Sequence, residues 1–227
     1  MKIQNQLKEI GPEFKRMFFG KNKLIDIVLP TFTFIISYRL FGIEIAAYIS
    51  LALIVVVSVW RLIRKEKVSS IAMGFISVGL AVFAVLYLGK SESYFLPGLL
   101  QNAALTVLII LSLLVRRPVV AWTSFFSNRW TLKWYWHPKV LPAYMQVTYI
   151  WLLYFIIKTF LMYFFYVRAE TEILAVIGTL TSWPGFILLL IISYVLGSSK
   201  LEELAGPSVD EFNSGAKEPF KSQTQGF

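Results

Sequence analysis

Charged residues are missing from six stretches of this chain: 27–38, 45–60, 68–89, 93–115, 140–157 and 173–199. Within them Leu, Ile, Val and Phe run solidly, without the short periodic patches of an amphipathic helix or the alternation of a half-buried strand. A helix needs about 20 mostly apolar residues to cross roughly 30 Å of hydrocarbon. The shorter stretches must therefore take in flanking residues such as Leu24, Ile25, Leu40 and Ile43. The pattern predicts an all-α fold, a polytopic transmembrane bundle of about six spans. Barrel strands would alternate over about ten residues, and an open chain in lipid satisfies its backbone only as helix.

Around this domain, residues 24–198, the character of the chain changes. Residues 1–23 are polar, with Phe14, Met17, Phe18 and Phe19 at helical spacing among Glu13, Lys15 and Arg16. That spacing suits a short helix on the inner membrane surface. No early apolar segment and no small-residue cleavage site precede the first span, which is expected to act as an uncleaved anchor. From residue 199 to 227 Gly, Pro, Ser, Gln, Glu and Lys accumulate, a composition expected to stay disordered because it buries no core. Between spans four and five, residues 118–142 carry Trp122, Phe126, Trp130 and Trp134 at i+4 steps beside Arg129 and Lys133. This predicts an interfacial aromatic helix in the headgroup layer.

Composition supports the class, with 57% of the 227 residues hydrophobic and 15% charged, more apolar than soluble domains are. The net charge of +9 raises nucleic acid as a partner, yet the basic residues alternate between connections. Six precede the first span (Lys2, Lys8, Lys15, Arg16, Lys21 and Lys23), and four follow the second (Arg61, Arg64, Lys65 and Lys67). Five lie between spans four and five (Arg116, Arg117, Arg129, Lys133 and Lys139), and three in the tail, while the intervening connections hold Lys90 and Arg168, and Arg39 and Lys158 complete the 22. Such alternation predicts both termini in the cytoplasm and attraction to anionic inner-leaflet lipid, not to nucleic acid. Arg116, Arg117, Arg129, Lys133, Trp122, Trp130 and Trp134 are the candidate headgroup contacts.

The chain has no cysteine and one histidine, His137. That excludes disulfides, thiolate chemistry and Cys or multi-His metal sites. His137, beside Pro138 in the aromatic belt, reads as a structural or headgroup-contacting side chain.

Polar residues at membrane depth are the candidate site. Ser70, Gly74, Ser77, Ala81 and Ala84 align on one face of the third span, which predicts a tight packing seam, with a transport path as the alternative. Pro97 and Gly98 open the fourth span, followed by Gln101, Asn102, Thr106 and Ser112; such amides bridge helices or line a polar cavity. Lys158 in the fifth span is separated from Arg168 by nine uncharged residues. At about 1.5 Å per residue it lies near the bilayer centre, where a charge costs about 2.5–3.5 kcal/mol. It is expected to face the bundle interior, with Asn102, Gln101, backbone carbonyls freed near Pro184, or the rings of Tyr154 and Trp151 beside it. Asp26, just before Pro30, is the carboxylate candidate. In the sixth span Pro184 and Gly185 interrupt an apolar run, and broken helices serve in transporters to expose backbone groups. Leu29-Pro30 and Leu96-Pro97 each open the leading span of a half divided near residue 90, compatible with an inverted repeat.

Leu29-Pro30, Arg61-Leu62, Tyr94-Phe95-Leu96-Pro97-Gly98 with Asn102, Ser112 before Arg116-Arg117-Pro118, and later Thr148, Trp151 and Pro184 resemble a family pattern. It is that of a bacterial, mainly actinobacterial, multi-pass membrane protein family of unknown function, distantly similar to intracellular septation protein A. The likeness runs from about residue 24 to 198 and implies a plasma-membrane location. Where that family tends to have arginine in the fifth span, this chain has Lys158, which keeps the charge and loses the bidentate fork.

No nucleophile elbow, phosphate-binding glycine loop or paired intramembrane carboxylates are present, so the chain is expected not to be an enzyme and to use no cofactor. The favoured reading is a small transporter or channel for an ion or small solute. The alternative is a membrane scaffold binding cell-envelope or division proteins. Expected partners are the bilayer and anionic lipid, with a second copy of the chain or envelope proteins as further candidates.

Overall fold

The computed structural model describes residues 23–223, with side chains from Pro30 onward except at Ser70. The helix expected around Phe14, Met17, Phe18 and Phe19 lies outside the described residues. Those described are helical in every regular element, with no strand among them. Five segments are long and apolar enough to cross a membrane: Ile43–Ile63, Ile71–Leu88, Ser91–Leu114, Leu141–Val167 and Thr171–Leu204. The first helix, α1 (Lys23–Phe41), contains Pro30 and the shortest uncharged stretch and is not among the five. Outward-facing Val56, Tyr87, Leu114, Leu153 and Phe160 are each more than half exposed, the apolar surface that lipid contact requires.

Contacts divide the chain into two units, and the division does not fall near residue 90. Among the described residues one unit holds 23–102 and 158–184; the other holds 103–157 and 185–223.

In the first unit α1 packs on α2 (Ile43–Ile63), and α2 on α3 (Val68–Leu88). The α1–α2 turn is made at Gly42, φ 82°, and α3 stops at Gly89, φ 67°, whose N–H bonds Val85 O. Both are positive-φ positions that glycine occupies without Cβ strain. A 3-10 turn, Ser91–Phe95, leads into α4 (Leu96–Leu114). The end of α7 (Leu141–Val167) and all of α8 (Thr171–Leu180) complete the unit with the first residues of α9 (Trp183–Leu204). Its core gathers Phe34, Ala46, Ala47, Val82, Val85, Phe95, Leu99, Met162 and Leu174. Ala46 and Ala47 are fully buried, and such small side chains let helices approach in lipid. Arg39 pairs with Glu172 and Ser91 with Thr171 at 2.9 Å, tying α8 to α1 and to the 3-10 turn.

The second unit closes around large rings. Here α5 (Val119–Asn128), α6 (Leu132–Tyr135) and α10 (Val209–Ser214) join the remainders of α4, α7 and α9. Trp134, Tyr135 and Tyr144 have no exposed surface and meet edge to face, with centroids 5.0–6.1 Å apart. Their polar ends are satisfied: Trp134 Nε1–H donates to Pro207 O at 2.8 Å, and Ser124 Oγ lies 3.2 Å from Tyr135 Oη and 3.4 Å from Tyr144 Oη. Burial raises the Tyr135 phenol above its ordinary value, against the Ser124 hydrogen bond.

Two expectations change here. Residues 199–223 are structured: α9 runs to Leu204 and α10 carries a capping box in which Ser208 Oγ accepts from Glu211 N–H. This segment packs back through Trp134–Pro207, Thr131–Asn213 and Lys139–Glu218 contacts, and a Cβ on Gly206 would meet Lys139 O at 2.7 Å. The aromatic stripe, in turn, is not one helix. Arg129, φ 55°, ends α5, and α6 starts afresh after Thr131.

Candidate functional site

Within the first unit a cleft of about 650 Å³ opens between α1, α2, α3, the 3-10 turn and the starts or ends of α4, α7 and α8. Its walls are apolar at Ile54, Val57, Met73, Val78 and Met162, and small on one side, where Gly74 and Ser77 of α3 face it. Ala81 also lines it while buried in the core, whereas Ser77 is exposed there. At Gly74 an added Cβ would find Arg61 Nη1 at 4.0 Å and nothing closer.

Lys158 lines this cleft from α7, half-buried, and its Nζ donates to Thr181 O at 3.0 Å. That carbonyl sits where the last apolar run breaks. The α8 helix ends at Leu180 and α9 begins at Trp183, and in the closing turn Thr181 N–H donates to Ile177 O at 2.9 Å and Ser182 N–H to Thr179 O at 3.3 Å. Thr181 Oγ1 donates to Ile177 O at 2.6 Å and Ser182 Oγ to Thr179 O at 2.7 Å, while Lys158 takes Thr181 O. A cation at a helix C-terminus is also favoured by the aligned peptide dipoles. Pro184 stands in the first turn of α9, where a missing N–H costs nothing; Ser182 and Trp183, not Pro184, reach the cleft wall. Among the described residues no carboxylate pairs with Lys158, and it takes part in no cation–π contact.

Asn102 and Gln101 of α4 line the same cleft. Asn102 is buried, with Nδ2–H donating to Met162 Sδ at 3.3 Å; Gln101 is exposed. Asp26 falls in α1, but its side chain is outside the described residues. Trp151 points its chemistry elsewhere, Nε1–H donating to Ser193 Oγ at 2.8 Å in the second unit.

Arg61, Tyr94 and Thr31 also line the cleft, and membrane depth does not mark them. Arg61, in the last turn of α2, lines the cleft and donates from Nε to Glu66 Oε2 at 2.8 Å. Tyr94 stacks on Phe34 at 4.3 Å and shares a hydrogen bond with Thr31. Arg61 looks from sequence like one more basic residue at a span end, and only the small face at Gly74 hints that its head has room. Among the described residues no group of three His, Cys, Asp or Glu side chains stands together as a metal site would need.

The candidate headgroup contacts separate into two kinds. Arg116, Arg117, Arg129 and Lys133 are exposed, and Arg117 stacks over Trp136 at 4.3 Å. Trp122 and Trp130 are half-buried. Trp134 is fully enclosed and is core, not a headgroup contact, because the break at Arg129 rotates it off the stripe and inward. His137 is half-buried with its ring edge-on to Phe212 and Phe220, and Lys139 N–H donates to its Nδ1 at 3.3 Å.

A family model described as protein of unknown function (DUF3159) matches residues 19–203 of the 227. The chain belongs to this family. No curated protein and no solved structure matches it. The matched region of this DUF3159 chain takes in the whole cleft. Pro30, Arg61, Tyr94, Phe95, Pro97, Gly98 and Asn102, among the residues on which the sequence resemblance rests, all line it.

Proposed function

We propose that this chain is a non-catalytic integral membrane protein of the bacterial plasma membrane that moves an ion or small solute through its first unit. In this reading α1 is a sixth span, both termini are cytoplasmic, and residues 116–142 lie against anionic headgroups through Arg116, Arg117, Arg129 and Lys133. The observation that carries it is the cleft of about 650 Å³ with Lys158 in its wall. Ligand sites usually enclose about 300–1,000 Å³, and an ionisable residue at membrane depth is expensive to keep without a role. The broken helix supplies the lysine's carbonyl partner, the arrangement by which transporters place backbone groups at mid-membrane.

Purified protein in liposomes tests this. Flux of at least one class of cation, anion or small neutral solute above that of protein-free vesicles is expected. Flux equal to empty vesicles for all three would overturn transport and leave the scaffold reading. The topology has its own check in this naturally cysteine-free chain: a cysteine placed at Lys217 should resist impermeant thiol reagents in intact cells. Labelling from outside would overturn a cytoplasmic C-terminus.

A further inference from the structure

We propose that the ligand of the cleft is an organic anion with an apolar body, a carboxylate or phosphate head seated against Lys158. This deepens the transport reading and rests on it for its biological meaning, but the binding stands or falls by itself.

Charge sets the sign. The two basic groups in the cleft wall are Lys158 and Arg61, and among the described residues no carboxylate lines it. Glu66 lies off the wall and offsets Arg61 at 2.8 Å, so among the described residues it is Lys158 that has no carboxylate beside it. Its ammonium has three donors, and one of them is held by Thr181 O. A carbonyl is a dipole and leaves the net charge of the group in place, so an arriving anion gains what an arriving cation would lose.

The remainder of the wall sets the body. Ile54, Val57, Met73, Val78 and Met162 offer hydrocarbon and thioether, which a bare inorganic ion would gain nothing from.

Such an anion has two sources, a water-soluble organic acid or an acidic membrane lipid, and the experiment separates them. Ser77 is exposed on the cleft wall. A Ser77→Cys protein in neutral detergent, carrying this one thiol, is labelled with an uncharged maleimide while hexanoate, hexylammonium or hexanol is titrated. Hexanoate at ten times its Kd should slow labelling about tenfold by occupancy, and the other two should not. The Lys158→Met change in the same background should remove the protection and Lys158→Arg should retain it. In parallel, native mass spectrometry after exposure to phosphatidylglycerol or phosphatidylcholine vesicles reads the lipid source. Retention of phosphatidylglycerol that Lys158→Met abolishes supports the anion site with lipid as its occupant.

Protection by hexylammonium or hexanol equal to that by hexanoate overturns the proposal, as does anion binding unchanged in Lys158→Met. Absence of both hexanoate protection and phosphatidylglycerol retention overturns it too. If Lys158→Met does not fold, the ligand series on Ser77→Cys alone decides. Anion binding without any flux removes the transport reading and leaves this one intact, whereas cation flux without anion binding does the reverse.

Discussion

The two units are built from the same apolar alphabet and reach opposite ends. Around Trp134 three fully buried rings interlock, and each indole or phenol has a fixed protein partner in Pro207 or Ser124. Around the Lys158 cleft Gly74, Ser77, Pro97 and unbranched Met162 stand among Ile54, Val57 and Val78, one helix ends at Leu180 before the next starts at Trp183, and space remains. Large aromatic side chains fill volume and specify one arrangement. Small residues and helix breaks leave room and expose backbone, which a polar site needs. On the proposed function, stability and transport are carried by different parts of one chain.

The largest effect is expected at Trp134. Trp134→Ala removes a fully buried indole and leaves Pro207 O without its donor, a loss of about 3–5 kcal/mol. The measurement is thermal unfolding in detergent, and a melting temperature within error of wild type would contradict the closed-core account.

The next prediction compares two glycines. A Cβ at Gly206 would press on Lys139 O at 2.7 Å, whereas at Gly74 its nearest neighbour is Arg61 Nη1 at 4.0 Å. Gly206→Ala should cost about 1–3 kcal/mol, as overpacking does, and make residues 207–223 a substrate for limited proteolysis. Gly74→Ala should be neutral, or stabilising by up to about 1 kcal/mol through helix propensity. Equal losses at the two sites would erase the distinction between packed and open units.

The smallest effect is that of pH on the C-terminal segment. Burial first, then the Lys139 charge, lowers the His137 pKa, while Glu218 opposes; the ring packs between Phe212 and Phe220. Because the folded state favours neutral imidazole, its contribution is complete above the unfolded value of about 6.5 and fades as pH falls below it. Proteolysis of residues 205–223 should therefore quicken between pH 7.5 and 5.5, and His137→Gln should flatten the response. A rate that slows on acidification has the wrong sign.

Much of this was legible in sequence, for identifiable reasons. Long uncharged runs declare helices because lipid leaves no other backbone solution, and five of the six appear among segments able to cross a membrane. The place of Lys158 inside a long apolar helix and the break before Pro184 follow from counting along the chain, yet the Lys158–Thr181 bond joins residues 23 apart, and no periodicity specifies that meeting. The aromatic stripe misled because i+4 spacing assumes an unbroken helix, and Arg129 in the left-handed region ends it. The ordered tail carried a readable signal, Ser208-x-x-Glu211, the capping-box spacing. Its glycine-, proline- and charge-rich surroundings suggested disorder, because composition does not show that Pro207 O would meet a buried indole.

The central claim is that the cleft is the working part and Lys158 its essential charge. The most direct measurement is solute flux through liposomes holding equal amounts of folded wild-type, Lys158→Met and Lys158→Arg protein. The account predicts that Lys158→Met, which keeps length and removes charge, abolishes flux while melting and eluting like wild type, and that Lys158→Arg retains it. Wild-type flux from a well-folded Lys158→Met protein would contradict the account.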